Sequence, residues 1–226
     1  PIIQAYGMTE TSPLALAAIP KSYMADWPDA EKYHVKDSAG LLVMGLEMKI
    51  VDHLDREVPA DGRHWGEILL RGPWIAGEYD RDPERSATAF AGGWLHTGDV
   101  GTIDAEGYVR LVDRTKDLIK SGGEWISSVD LENAIMAHPG VAEAAVIGIP
   151  HPKWQERPLG CIVLKPGATV SNDELKTFLQ DRVRAAWWIP DTFVRLAQLP
   201  KTSVGKFNKK ELREMIADGR IVIPGD

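Results

Sequence analysis

The sequence predicts an α+β protein built in two parts, and three features carry that expectation. Residues 1–113 are rich in strand signals and glycine turns. Residues 118–226 alternate apolar strands with helices whose caps are written in the sequence. Between them, Asp113-Arg114-Thr115-Lys116-Asp117 is a charged segment flanked by two apolar regions. It sets the expected organisation: a first part over 1–113, a hinge over 114–117 and a small domain over 118–226.

In the first part, Leu41 to Val51 and Gly66 to Arg71 are apolar or alternating runs that read as strands. Pro83-Glu84-Arg85-Ser86 opens a short helix, because proline is tolerated in the first turn. Asp104-Ala105-Glu106-Gly107 is a hairpin turn leading into the less clean alternation of Tyr108-Val109-Arg110-Leu111-Val112. In the second part, Leu131, Ala134, Ile135 and His138 fall on one helical face, with Ser127 or Ser128 as the cap and Pro139-Gly140 as the stop. Val141 to Ile149 and Gly160 to Leu164 are apolar strands. Ser171-Asn172-Asp173-Glu174 is a capping box ahead of the stripe Leu175, Phe178, Leu179 and Val183. Asp191 to Leu199 is a third strand, and Asn208-Lys209-Lys210-Glu211 starts a last helix carrying Leu212, Met215 and Ile216. The natural assembly is a small α+β unit with a three-stranded sheet.

The chain has 226 residues, of which 44% are hydrophobic and 26% charged, an ordinary soluble composition. Its net charge of -7 supplies no attraction for nucleic acid or an anionic membrane surface. The single cysteine, Cys161, excludes an internal disulfide and fits a reducing, cytoplasmic setting. It lies in the apolar run Cys161-Ile162-Val163-Leu164 and reads as a buried structural thiol. No stretch approaches transmembrane length, and the first residues do not read as a signal peptide. Pro1 to Tyr6 reads as the end of a strand entering a loop, so the expectation is a piece of a longer polypeptide.

Four segments carry chemistry, and each also has a plain structural reading. Tyr6-Gly7-Met8-Thr9-Glu10 offers an aromatic face, a backbone free of Cβ, a hydroxyl and a carboxylate, a kit for base stacking, phosphate approach and a hard cation. A polar loop looks the same. Thr97-Gly98-Asp99 places a carboxylate after a glycine turn, able to accept from two neighbouring hydroxyls as a ribose diol requires; a turn aspartate looks similar. Ser121-Gly122-Gly123-Glu124-Trp125 exposes backbone and can line a narrow channel, or simply turn a hairpin. Pro200-Lys201-Thr202-Ser203-Val204-Gly205-Lys206 puts ammonium groups around a Ser/Thr/Gly turn, suited to neutralising phosphate or to solvent exposure.

Together, and in this order, these segments resemble the shared motifs of adenylate-forming enzymes: acyl-CoA synthetases, luciferases and peptide-synthetase adenylation domains. Gly66-Glu67-Ile68-Leu69-Leu70-Arg71-Gly72, Gly92-Gly93-Trp94-Leu95-His96-Thr97-Gly98-Asp99, Gly107-Tyr108 and Asp113-Arg114-Thr115-Lys116-Asp117 extend the match. The run from Asp117 to Ser127, then Asp130-Leu131-Glu132, and His151-Pro152-Lys153-Trp154-Gln155-Glu156-Arg157-Pro158, resemble the medium- and long-chain fatty-acyl-CoA synthetase branch most. The resemblance runs from residue 1 to about residue 216. It implies the end of a large adenylate-forming domain, a β-rich subdomain, followed by a small mobile domain.

That resemblance implies an AMP-forming ligase whose small-molecule partners are a fatty acid, ATP and coenzyme A, with Mg²⁺; the sequence leaves the oligomeric state open, a homodimeric parent being one option. Tyr6 would stack on adenine, Thr9 would contact the α-phosphate, and Glu10 would hold Mg²⁺. Gly7 and Met8 would border the acyl carboxylate, Asp99 would bind the ribose hydroxyls, and Arg114 would assist there. Lys206 would bridge acid and α-phosphate during adenylation, Lys116 would be the hinge, and Lys120 would approach the adenylate in a second pose. Ser121, Gly122, Gly123, Glu124 and Trp125 would face the coenzyme A channel. The family's phosphate loop and most of its acyl pocket have no counterpart in the sequence, so the 226 residues alone are expected to be inactive. The alternatives are an aryl- or short-chain acyl-CoA ligase, or an inactive binding module. Trp187-Trp188-Ile189-Pro190 departs from the family, which often carries a basic residue there; one tryptophan is expected in the core and the other at the surface.

Overall fold

The computed structural model describes residues 2–203 and 205–223. The chain divides into two compact units, residues 1–115 and 116–226.

The first unit holds two antiparallel sheets. Strands β1 (Ala5–Tyr6), β2 (Leu16–Ala17) and β3 (Leu41–Leu42) pair in that order, with Tyr6 opposite Leu16 and Leu16 opposite Leu42. Helix α1 (Asp29–Lys36) lies between β2 and β3 in the chain, and its buried Val35 meets Met24 and Tyr108. Strands β4 (Glu47–Val51), β5 (Trp65–Arg71), β6 (Leu95–Ile103) and β7 (Val109–Arg114) form the second sheet in chain order. Tyr6 and Leu16 share one core with Ile50, Ile68, Leu70, Leu95 and Val109, which locks the two sheets together. Helix α2 (Pro83–Ala89) begins on proline, as its sequence indicates, and Asp82 caps it by accepting from the Arg85 N–H at 3.1 Å. The turn between β6 and β7 also forms: Asp104 Oδ1 accepts from the N–H groups of Glu106 and Tyr108 at 2.9 Å each. One irregularity matters later. Glu67 pairs with Val100 and Leu69 with His96, so Ile68 alone faces the three residues Thr97 to Asp99 of β6.

In the second unit, β8 (Ile119–Ser121) and β9 (Glu124–Ile126) make a hairpin, followed by α3 (Ser128–Met136), β10 (Val141–His151), β11 (Gln155–Leu164), α4 (Asn172–Leu179), β12 (Thr192–Arg195) and α5 (Lys209–Ala217). The three expected strands are β10, β11 and β12, with β12 parallel to β11. The β8–β9 hairpin extends this sheet by joining the Gln155 end of β11 through Ser121, giving five strands among the described residues. Its strands are three residues each, too short to show periodicity. Ala144 and Val146 face α3 and α4, in a core with Leu131, Ile135, Leu175 and Phe193; Ala145, Ile147 and Cys161 face α5 and its Leu212. Both faces of the sheet are therefore covered, which is why its strands read as unbroken apolar runs.

Of the two serines read as the cap of α3, Ser127 takes the role, and the other two helices start where the sequence puts them. Ser127 accepts from Asp130 N, Ser171 forms a reciprocal capping box with Glu174, and Asn208 accepts from Glu211 N. Val183 lies beyond the end of α4 yet still packs on the core. Trp188 is buried in that core and Trp187 is 39% exposed. Burial pushes the Cys161 thiol up to about 12, the state of an inert core residue. The α5 residue Lys209 reaches back to α3, its Nζ donating to Ser128 Oγ at 2.6 Å and pairing with Glu132 Oε1 at 2.8 Å. No described helix is long and apolar enough to cross a membrane.

Candidate functional site

Asp99 is the centre of the polar cluster in the first unit. It sits on β6 directly opposite Arg114 on β7. Tyr6 Oη donates to Asp99 Oδ2 at 2.7 Å, and Arg114 Nε lies 3.2 Å from Asp99 Oδ1. Burial first, and then the Asp99 carboxylate, push the Tyr6 phenol above its usual range, so its hydroxyl remains a donor. A carboxylate has roughly four lone-pair sites, so Asp99 keeps acceptor capacity for a further pair of hydroxyls. Strand pairing thus sets Asp99 opposite Arg114, and packing of the two sheets in one core brings Tyr6 to Asp99, so three of the residues singled out in the sequence meet. Tyr6 is 8% exposed and belongs to the core cluster as well as to this site.

The segment after Tyr6 is shaped by close backbone approach. A Cβ on Gly7 would lie 1.7 Å from the Pro13 carbonyl oxygen, so glycine is required there. Thr11 is fully buried and holds the loop: its Oγ1 accepts from Met8 N at 2.9 Å and reaches Pro13 O at 2.7 Å. Thr9 is exposed on the 3-10 turn Thr9–Thr11. Glu10 is half-buried, its backbone oxygen accepts from Ala76 N at 2.8 Å, and Tyr79 Oη donates to its Oε1 at 2.6 Å. The Arg85 guanidinium stacks on Tyr79, 4.0 Å from the ring centroid. Tyr79 is a residue that sequence reasoning did not single out; it lies 69 positions from Glu10 and nothing local marks it.

Among the described residues, no group of three or more His, Cys, Asp or Glu side chains converges on a metal site. Glu10 instead presents one carboxylate with Oε1 engaged by Tyr79 and Oε2 left to another ligand. That donor set fits Mg²⁺ held by one carboxylate together with substrate phosphates.

In the second unit, Ser121-Gly122-Gly123-Glu124 is a two-residue hairpin turn. Gly122 and Gly123 have φ of 63° and 85°, the left-handed pair that a tight turn of right-handed twist demands. Lys120 and Trp125 face each other across it, with the ammonium 5.9 Å from the ring centroid. Beside the turn is a cavity of about 480 Å³ whose walls include Ser121, Gly122, Trp154, Arg157 and Trp187. Gly122 N donates to Trp154 O at 3.0 Å, which fixes the turn against that wall. Arg157 is held on the other side: Nε donates to Asp191 Oδ2 at 2.8 Å and Nη1 to Trp187 O at 2.7 Å. The aromatic walls come from two segments read in the sequence for other reasons, His151 to Pro158 and Trp187-Trp188, and only folding unites them with the glycine turn.

Lys206 is exposed on a loop closed by the pairing of Lys201 with Phe207 and by Thr202 Oγ1 accepting from Lys206 N at 3.2 Å. Val204, within that loop, lies outside the described residues. Lys116 opens the second unit, and Arg213 Nη2 donates to its carbonyl at 3.2 Å and to Asp117 Oδ1 at 2.8 Å.

Two family models match the chain: the AMP-binding enzyme over residues 1–80 and the AMP-binding enzyme C-terminal domain over residues 130–206. A long-chain-fatty-acid–CoA ligase of Thermus thermophilus is 48% identical over 212 residues, covering 93% of this chain and 39% of the relative. A 3-methylmercaptopropionyl-CoA ligase of Ruegeria lacuscaerulensis is 43% identical, covering 96% and 40%. The chain thus spans about two fifths of the length of these relatives. Among solved structures, ATP-bound MatB from Rhodopseudomonas palustris superposes with a TM-score of 0.81 at 31% identity, over 96% of this chain and 41% of that one.

Proposed function

We propose, from the premise that this chain belongs to the AMP-binding, adenylate-forming enzyme family, that it serves an AMP-forming ligation of a fatty acid to coenzyme A. The observation that carries this is the Tyr6–Asp99–Arg114 cluster, an aromatic, a carboxylate and a cation joined within hydrogen-bonding distance in one unit. Asp99 accepts the ribose hydroxyls, Arg114 fixes the carboxylate from the side, and the Tyr6 ring borders the adenine. Thr9 donates to the α-phosphate from its exposed turn, and Gly7 and Met8 border the carboxylate of the acid. Glu10 would hold Mg²⁺, which supplies positive charge where two anions are brought together. The Lys206 ammonium offsets the same repulsion as the acid attacks the α-phosphorus; removing one such charge costs on the order of 10²–10³ in rate.

Thiol attack on the mixed anhydride is the second half-reaction. For it, the Ser121-to-Trp125 turn and the adjoining cavity take the coenzyme, with Trp154 and Trp187 offering π-faces to a base and the glycine backbone lining a narrow passage. Lys120 approaches the adenylate at this stage, and Lys116 is the residue about which the second unit turns between the two steps. The fatty acid assignment follows the name of the Thermus relative; the name of the Ruegeria relative supports a second reading, a different acyl group with the same chemistry.

The test is a graft. Residues 1–226 replace the matched two fifths of the Thermus ligase, and acid-dependent exchange of labelled pyrophosphate into ATP is followed across acids of increasing chain length. Acid-dependent exchange supports the adenylation role of these residues; a correctly folded graft with no exchange on any acid refutes it. Lys206→Ala should abolish exchange while sparing thioester formation from supplied acyl-adenylate, and equal loss of both would reject the separate roles. The 226 residues alone should release no pyrophosphate.

A further inference from the structure

We infer that Glu67 is a positioning residue that aims Asp99, an assignment that rests on the reading of Asp99 as the ribose-binding carboxylate. The reason begins with the irregularity in the sheet. Because Ile68 alone faces Thr97, Gly98 and Asp99, the backbone groups of those three residues leave the ladder between β5 and β6. Half-buried N–H and C=O groups that lose a ladder partner need another. Side chains supply it. Thr97 Oγ1 donates to Ile68 O at 2.7 Å and accepts from Asp99 N at 3.1 Å. Thr115 donates to Gly98 O twice, from N at 2.9 Å and from Oγ1 at 2.8 Å.

Gly98 N–H is taken by Glu67. Glu67 Oε1 accepts from Gly98 N at 3.0 Å, while Oε2 lies 3.2 Å from His96 Nδ1. The two side chains are 22% and 27% exposed, so the contact is partly shielded from water. Glu67 therefore grips β6 on both sides of Thr97, through His96 before it and Gly98 after it. Gly98 is held at its N–H by Glu67 and at its C=O by Thr115. The next residue is Asp99, whose carboxylate direction follows from that peptide. Glu67 itself touches neither Tyr6 nor Arg114 in the contacts above, so its influence on a nucleotide passes through the backbone. A glutamate that merely decorated the sheet surface would pair with His96 and leave Gly98 N to water.

The experiment uses the 226-residue chain, with AMP and 2′,3′-dideoxy-AMP as probes in nuclear magnetic resonance titrations at millimolar concentration. Gly98 amide exchange is measured on the same samples without ligand. In the wild type, Gly98 N–H should be protected although no strand partner holds it, and AMP should bind about tenfold tighter than the dideoxy probe. Glu67→Ala should speed Gly98 exchange by about tenfold and bring the two probes close to equal affinity. Glu67→Gln keeps an oxygen for Gly98 N and should retain both properties. The proposal is overturned if Gly98 is unprotected in the wild type, a result that needs no variant to fold. It is also overturned if Glu67→Ala exposes Gly98 yet keeps the preference for AMP. If the wild type ignores the ribose hydroxyls, or Asp99→Asn leaves the preference intact, the ribose reading itself fails and takes the aiming role with it, even where Gly98 stays protected by Glu67.

Discussion

Tyr6→Phe tests the polar cluster with the smallest possible change. The ring stays in its core, and only the hydroxyl that donates to Asp99 Oδ2 at 2.7 Å is lost. Hydrogen bonds to a charged acceptor contribute about 1.5–3 kcal/mol. Asp99 keeps Arg114 at 3.2 Å, and its side chain is 15% exposed, so water replaces part of the missing donor. The low end applies, and the first unit should lose about 1.5 kcal/mol. The pH dependence provides an independent check. The folded-state phenol is shifted upward by burial and by Asp99, so the native state retains its proton where the unfolded chain begins to lose it, above about pH 10. Stability from this group is therefore complete below that value and declines as pH rises. Phenylalanine has nothing to ionise, so the advantage of the wild type should shrink above about pH 10. Because the chain has two units, a single global transition is the wrong observable. Peptide-resolved hydrogen exchange in urea reads residues 1–115 separately. A loss under about 0.3 kcal/mol at neutral pH, or a difference that stays constant into the alkaline range, refutes the reasoning.

Four further outcomes follow from the same geometry. Gly7→Ala forces a methyl against the Pro13 carbonyl and should cost the first unit about 3 kcal/mol, read by the same exchange measurement. Lys209→Met removes the cation paired with buried Glu132, whose carboxylate also accepts from Val146 N at 2.7 Å, and should destabilise the second unit by about 3 kcal/mol, read by the same exchange measurement. Cys161→Ala should be less stable than wild type at neutral pH, the gap narrowing between about pH 9 and 12, because burial raises the folded thiol from 9.0 to about 12 and its contribution fades as the unfolded thiol ionises. In the grafted ligase, Trp187→Ala should raise KM for coenzyme A by about tenfold while leaving ATP–pyrophosphate exchange unchanged.

What the sequence alone determined is the local order. The capping box at Ser171, the helix starts at Asn208 and Pro83, a serine cap at Ser127 or Ser128 and the turn at Asp104 each depend on residues within a few positions, so they were legible before folding. The apolar strands of the second unit were legible too, because covering both faces of a sheet leaves a continuous apolar run. The ordered motifs also named Tyr6, Glu10, Asp99, Arg114 and the glycine turn as candidates. Only the tertiary structure decided which of them meet. Tyr6 reaches Asp99 across 93 positions and Glu10 meets Tyr79 across 69, contacts set by strand pairing and core packing. The same holds for the three-residue strands β8 and β9, which carry no period and exist because β11 offers its Gln155 end, and for the cavity walled by Trp154 and Trp187. Propensity and capping act over one turn of chain, whereas a binding surface is made by packing distant segments, and that information is written in three dimensions.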